Sequence, residues 1–315
     1  MKFKHIISPN HEMIHEGWDL ACKYLEAQSK LYKGNVNLLT FFESHFGWFT
    51  ENNLEHIGEA LKSIPPEPFI AIIHDPFDAH LYINKIEPYP DCVLEIIETQ
   101  CLGLYFMSQY EASKFKTFFE SKGINVPCEA IYHPIKYLPL VFDLKSFNKS
   151  KNRHIYSPGM HLRNPAGLLE LETPTNYTKN IIPWNEVTES MYNQFNKGTL
   201  DNINKINKLS NENYYKLYEN NIFFLCLFDC VANNTILDCI DCCAPILINK
   251  SESVCEYLGH NYPLYYSSMQ EANKLIKRDY MIARAHRYLI ERRRLAVHRG
   301  DLFRQIKNSE IYKLI

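Results

Sequence analysis

The stretch from Asn221 to Pro263 constrains this chain more than any other. An apolar segment, Ile222 to Phe228, gives way to a polar turn at Asp229 to Asn234. A helix is then predicted from Thr235 to Cys242, followed by Ala-Pro and a second apolar segment, Ile246 to Ile248. Two short apolar runs joined through a helix read as a βαβ unit with parallel strands. Its helix opens on small polar residues, where unsatisfied N–H groups and the helix dipole favour a phosphate. The predicted chemistry is nucleotide recognition.

The rest of the chain repeats that alternation. Strands are predicted at His5 to Ser8, Asn37 to Phe42, Phe69 to Ile73, Leu102 to Met107 and Cys128 to Tyr132. Helices are predicted at Trp18 to Lys30 and Ser108 to Ser121, the latter with a serine cap and a stop at Gly123. A polar stretch without periodicity, Phe142 to Arg153, reads as a linker. A second alternating half follows, with apolar signals at Arg153 to Ser157, Leu168 to Leu171, Asn180 to Pro183 and Ile222 to Phe228. Glu186 to Glu219 reads as one helix plus a loop, and Ser267 to Tyr288 as a closing helix. The expectation is an α/β protein of two Rossmann-like domains facing each other across a cleft. They span 1–145 and 150–315, with the last helix packing back on the first domain.

Composition removes several alternatives. A formal net charge of −2 excludes a broad nucleic-acid footprint. The local exception is Arg284, Arg287, Arg292, Arg293, Arg294 and Arg299. With Glu291 and Asp301 nearby, this run reads as a solvated helix face, and contact with anionic lipid is the sharper alternative. No apolar run approaches the ~18 residues of a membrane span, and the amino terminus is too short in its apolar part for a signal peptide. A cytoplasmic protein is expected, with no firm membrane signal and peripheral contact left open. Ten cysteines then read as reduced thiols. Cys239 and Cys242 form a C-x-x-C, a spacing that zinc uses, but between apolar strands cysteine acts as a small buried hydrophobe. No metal and no cofactor are expected.

Four segments carry a resemblance: Ile72-Ile-His-Asp-Pro-Phe-Asp78; Tyr132-His-Pro134; Ile155-Tyr-Ser-Pro-Gly-Met-His-Leu-Arg-Asn164; and Ala232-Asn-Asn-Thr-Ile-Leu-Asp-Cys-Ile240, continuing to Pro245 and Glu256-Tyr-Leu-Gly259. Over residues 1–270 the chain resembles GT-B glycosyltransferases, small nucleotide-sugar-dependent enzymes of bacteria and large DNA viruses. The resemblance implies a hexosyl- or pentosyltransferase that is metal-independent and retaining. It would move a sugar from a nucleoside-diphosphate sugar to a glycan, lipid or other acceptor. The C-terminal domain would bind the donor and the N-terminal domain the acceptor.

The resemblance also implies roles. Asp238 matches the second acid of a Glu, seven residues, Glu pattern, a ribose contact. The first acid falls at Cys230, with Asp229 one residue away as its substitute. Arg163 matches the basic residue that neutralises the donor diphosphate, and Glu256 a donor-contacting acid. Gly159, Asn233, Asn234 and Thr235 complete the donor side, through close backbone approach and helix amides. His74 and Asp75 are the catalytic candidates, with Gly17 and Asp78 on the acceptor side. Plainer readings stand beside these. Thr235 and Asp238 form a T-x-x-D capping box, so Asp238 could serve only its own helix. His74 could be a satisfied strand-end histidine. Two other functions compete: a nucleotide-sugar epimerase on the same scaffold, and a non-catalytic nucleotide-sugar-binding protein.

Overall fold

The computed structural model describes residues 3–7, 34–40, 66–78, 89–159, 162–183, 185–194, 202–231, 233–297 and 299–315, with single positions or short pieces at 18, 22–23, 25–27, 42 and 64. The chain divides into two compact units. The first comprises Met1–Lys136, Cys230–Ala232 and Val297–Ile315; the second comprises Tyr137–Asp229 and Asn233–Ala296.

The first unit is built on five parallel strands in the order β1-β2-β3-β4-β5: Phe3–Ile7, Val36–Leu39, Phe69–Ile73, Cys101–Phe106 and Cys128–Ala130. β2 and β3 expose no residue, as expected when both faces of a parallel sheet are covered; β3 is a continuous apolar run, whereas β2 buries Asn37 among its apolar residues. Side chains alternate between the faces. Phe69, Ala71, Ile73, Leu104 and Phe106 join a core layer with Phe115 and Phe119 of the helix Gln109–Ser121. Ile70, Ile72, Tyr105 and Met107 point the other way, to a layer with Trp18, Leu302 and Ile306. The helix Gln109–Ser121 starts at Ser108, whose hydroxyl accepts the Glu111 N–H at 3.1 Å, and the chain turns at Gly123 with φ +78°.

Two C-terminal helices, Arg299–Asn308 and Glu310–Lys313, belong to this unit. Gly103 on β4 lets the second sit close, since a Cβ there would lie 2.6 Å from Ile311 Cγ2. The Ile311 N–H donates to Glu129 Oε1 at 2.7 Å, and the Tyr132 N–H to Gln305 Oε1 at 2.9 Å.

The second unit has six parallel strands: β6 Arg153–Pro158, β7 Tyr177–Ile182, β8 Ile203–Lys205, β9 Ile222–Leu225, β10 Ile246–Asn249 and β11 Tyr265–Tyr266. Their spatial order is β11-β10-β9-β6-β7-β8. Numbered from β6, this is the 3-2-1-4-5-6 order of a doubly wound dinucleotide fold, and the direction of winding reverses between β6 and β9.

Three expectations change here. The segment read as a linker contains a helix, Leu144–Lys149, capped by Asp143, which accepts the N–H groups of Lys145 and Ser146. Phe147 on that helix is fully buried, with the Arg153 guanidinium 4.5 Å from its ring centroid. One aromatic anchor thus orders a polar stretch that lacks period. The segment 186–219 holds two helices, Glu186–Gln194 and Asn211–Lys216, with edge strand β8 between them. β8 buries only Ile203, too little for an apolar signal. The single closing helix is two, Met269–Ile276 and Asp279–Arg294, divided at Arg278, whose φ of −115° and ψ of 90° leave the helical region. Further helices, Asp91–Gln100, Pro165–Glu170, Glu252–Leu258, Arg299–Asn308 and Glu310–Lys313, were not anticipated, and the last two follow the helix expected to close the chain. Among the described residues no helix is long and apolar enough to cross a membrane.

Gly167, on the helix Pro165–Glu170 that follows β6, is pressed against β9. A Cβ there would stand 2.4 Å from Cys226 Cβ and 2.8 Å from its sulfur. Gly→Ala inside a helix ordinarily stabilises by ~1 kcal/mol. Here overpacking reverses the sign, and Gly167→Ala is expected to destabilise by ~1–3 kcal/mol in urea unfolding.

Candidate functional site

In open α/β sheets, ligands settle outside the carboxyl ends of strands where the winding reverses. In the second unit that place is set by the loops after β6 and β9, and the two are sewn together. The Asn164 N–H donates to Cys226 O at 2.7 Å, the Phe228 N–H to Leu162 O at 3.0 Å, and Arg163 forms an isolated bridge with Leu227. Asn249, at the end of β10, fixes the second loop. Its Oδ1 accepts the Leu227 N–H at 2.8 Å and its Nδ2 donates to Leu227 O at 3.0 Å. Sequence reasoning missed Asn249; the available signal was an amide side chain ending an apolar strand at the carboxyl edge.

Gly159 leaves β6 with φ +80°, a left-handed conformation that glycine adopts without cost, and donates its N–H to Ile182 O at 2.7 Å. A Cβ there would come 3.3 Å from Arg163 Nη2. The half-buried Arg163 is held at two points: Nε donates to Pro158 O at 3.2 Å and Nη2 to Asn233 Oδ1 at 3.1 Å. Asn233 is the N-cap of the helix Asn234–Asp241, and the same oxygen accepts the Thr235 N–H at 3.0 Å. One asparagine thus ties the guanidinium to the helix's positive end, concentrating positive potential at the switch point. The N–H groups of Asn234 and Ile236 lie in the first turn, where a helix offers them no acceptor of its own.

Not all of the expected donor residues gather there. The capping box is not formed: the helix starts one residue early, with Asn233 as its cap, so Thr235 lies inside it. Thr235 and Asp238 are 4% and 1% exposed, on a helix that is buried at every position from Thr235 to Asp241. The Thr235 hydroxyl hydrogen-bonds Tyr214, which in turn lies 3.1 Å from the Tyr218 hydroxyl. Burial pushes both phenols up, and the charge of Asp238 adds to it. The carboxylate expected at a ribose is therefore an interior group beneath two tyrosines. Asp229 is half-buried in the loop after β9. Glu256 sits in the last turn of Glu252–Leu258, away from the end that follows β10, and its backbone carbonyl accepts from Arg292. Cys230 is 4% exposed, with its thiol directed to Val231 O at 3.1 Å.

His74 and Asp75 lie in the first unit, just after β3. The His74 ring meets Trp18 edge-on at 4.7 Å, and Trp18 lies 5.1 Å from His133. Both His74 nitrogens are shut off from solvent. Burial holds its imidazole well below the ordinary 6.5, with His133 adding to the effect. Burial likewise holds His133 down, to about 4. His74 is therefore neutral at physiological pH and cannot act there as a cationic acid. Asp78 forms an ion pair with Lys114 at 2.5 Å. Gly17 lies outside the described residues.

Among the described residues, no three His, Cys, Asp or Glu side chains come together to hold a metal ion. Cys239 and Cys242 are buried, and burial raises both thiols, so they pack as small hydrophobes.

The two histidines predict a pH dependence. Unfolded, each takes a proton near pH 6.5; folded, His133 resists it until about pH 4. Stability is complete above 6.5 and falls as the pH drops toward 4. The His133 part amounts to about 3 kcal/mol at 1.36 kcal/mol per unit. The slope of unfolding free energy between pH 6.5 and 4 is expected to flatten in His133→Asn, whatever that change does at pH 7.5. An unchanged slope would show that the ring is not shielded.

No protein-family model matches the chain, and no curated protein matches it. Solved structures do. HepE from Anabaena, crystallised in complex with UDP-glucose, matches with a TM-score of 0.64 at 11% identity, over 99% of this chain and 100% of that one. WaaG, described as a glycosyltransferase involved in lipopolysaccharide biosynthesis, matches with a TM-score of 0.56 at 8% identity, over 98% and 97%. TarM from S. aureus matches with a TM-score of 0.61 at 10% identity, over 92% of this chain but only 58% of that one. Two parallel α/β sheets and likeness across nearly the whole length of HepE and WaaG give this chain the GT-B fold.

Proposed function

We propose that this protein is a glycosyltransferase that takes a hexose or pentose from a nucleoside-diphosphate sugar, UDP-glucose being the first donor to test. It would pass the sugar to a glycan, lipid or other acceptor. One observation carries the reading: at the switch point of the second sheet, Pro158, Arg163, Asn233 and the first turn of Asn234–Asp241 are held together by direct hydrogen bonds, with Gly159 against the guanidinium. HepE, similar in fold over its whole length, has been crystallised with UDP-glucose, which favours this donor class.

Transfer breaks the bond between the anomeric carbon and the diphosphate oxygen. Negative charge collects on the leaving diphosphate while the sugar becomes positive. Arg163 can form paired hydrogen bonds to phosphate oxygens, and the helix end adds amide donors and its dipole. These groups are pre-positioned, so little reorganisation is needed when the charge develops. They supply the electrostatic stabilisation that a divalent ion gives in other transferases, so turnover is proposed to persist in a chelator. The resemblance also carries retention of anomeric configuration, which NMR of the product would read.

The buried thiol of Cys230 stands where the pattern has its first acid, and this favours a second reading, a nucleotide-sugar-binding protein without turnover. An epimerase on the same scaffold is the third. The products separate all three: free nucleoside diphosphate, no product, or isomerised nucleotide-sugar.

UDP-glucose at ~100 times its Kd is expected to stabilise the fold by about 2.7 kcal/mol, read as a thermal shift. Arg163→Ala should lower turnover ~10²–10³-fold while the protein stays folded, its melt in the absence of ligand falling only by what the two lost hydrogen bonds contribute. If no nucleotide-sugar shifts the melt, the donor assignment fails; if Arg163→Ala turns over like the parent, the role of that residue fails.

A further inference from the structure

Between Lys274 and Arg294 the sequence has eight Lys or Arg residues against two acids, in a chain whose net charge is −2. The structure sorts them by task. Arg292 donates to the carbonyls of Glu256 and Tyr257 at the end of a neighbouring helix, and Arg293 binds Asp241 at 3.3 Å and Leu138 O at 2.8 Å. Those two hold the second unit together.

Arg284 and Arg287 do neither. On the helix Asp279–Arg294, Ile282, Ala285, His286 and Leu289 form the buried side. Tyr280, Arg284, Arg287, Glu291 and Arg294 recur at intervals of three and four on the opposite side, and all five are exposed. The stripe runs ~21 Å at 1.5 Å per residue. Its one acid, Glu291, is bound to Arg294 at 2.8 Å, so the stripe keeps a net positive charge. Large side chains bracket it: Tyr280 is 62% exposed, and Leu295, just past the helix, is 73% exposed. Arginines along a helix with an aromatic at one end and leucine at the other match a membrane interface. There the guanidinium groups meet lipid phosphates while tyrosine and leucine enter the headgroup layer. A nucleic-acid backbone would attract the same arginines but would give the exposed Leu295 no apolar surroundings.

We propose that this face of the helix Asp279–Arg294 is a docking surface for an anionic lipid bilayer, holding the protein at a membrane peripherally.

The test is sedimentation of the full chain with vesicles of phosphatidylcholine alone and of phosphatidylcholine and phosphatidylglycerol in equal parts. A double-stranded oligonucleotide serves as competitor. The chain should pellet only with the mixed vesicles and be released by high salt, which screens surface charge. Arg284→Gln with Arg287→Gln should lower partitioning roughly thirtyfold, at about fivefold per arginine. Tyr280→Ser added to the double variant should lower it further at the same salt, by removing the apolar contact. Both arginines are exposed, so the double variant should melt like the parent, and Lys116→Gln on the exposed face of another helix should bind like the parent. Equal pelleting with both vesicle types, partitioning unmoved by the double variant, or binding of the oligonucleotide but not of the vesicles would each overturn the proposal.

Discussion

The hydrogen bonds between the loops after β6 and β9 are the constraint on which the candidate site depends. Reversing the winding of a parallel sheet leaves two adjacent strands whose connections depart in opposite directions, and a crevice opens between them. Here the floor of that crevice is laced by backbone bonds from Asn164 to Cys226 and from Phe228 to Leu162, with Asn249 bracing the second loop. Only with that floor fixed can Arg163 stand between Pro158 O and Asn233, and only then does the helix Asn234–Asp241 present a defined end. The first sheet has its described strands in simple sequential order, so topology alone marks no such place there.

This division explains what the sequence could reveal. Strands buried on both faces announce themselves, and Phe69–Ile73 was legible to the residue because five apolar side chains occur together. The Ser108 cap and the Gly123 stop were legible because each rests on local chemistry within four residues. β8 was not, because an edge strand that buries one side chain has no period to detect. The helix at Leu144–Lys149 was hidden for a related reason: it is ordered by Phe147 under Arg153, a tertiary contact that leaves no periodic trace.

The candidate site shows the same limit more sharply. Gly159, Arg163 and Asn233 could be marked from their positions after strands, and the structure brings them together. Thr235 and Asp238 were marked on the same grounds, but the helix that carries them is buried on every side from Thr235 to Asp241, with Tyr214 and Tyr218 among their neighbours. A cap can be read from local sequence, whereas the covering of a whole helix is decided by elements distant in the chain. The surroundings of His74 were illegible for a different reason: Trp18, which meets its ring, lies 56 residues away in the chain, and only folding reveals that both ring nitrogens are shut off from solvent.

The C-terminal arginines carry this reasoning to the surface. In the sequence they are one basic run, and composition alone treats them alike. A helical register separates them: positions 292 and 293 fall on the flank that reaches carbonyl and carboxylate oxygens of the second unit, whereas 284 and 287 face solvent. A cation that satisfies buried carbonyls is anchored by the desolvation its loss would cause, so its charge is already engaged. A solvated arginine keeps its charge for whatever surface approaches. The same residue type thus serves cohesion on one side of a helix and leaves an unspent electrostatic attraction on the other. That asymmetry, rather than the number of arginines, gives the helix a face.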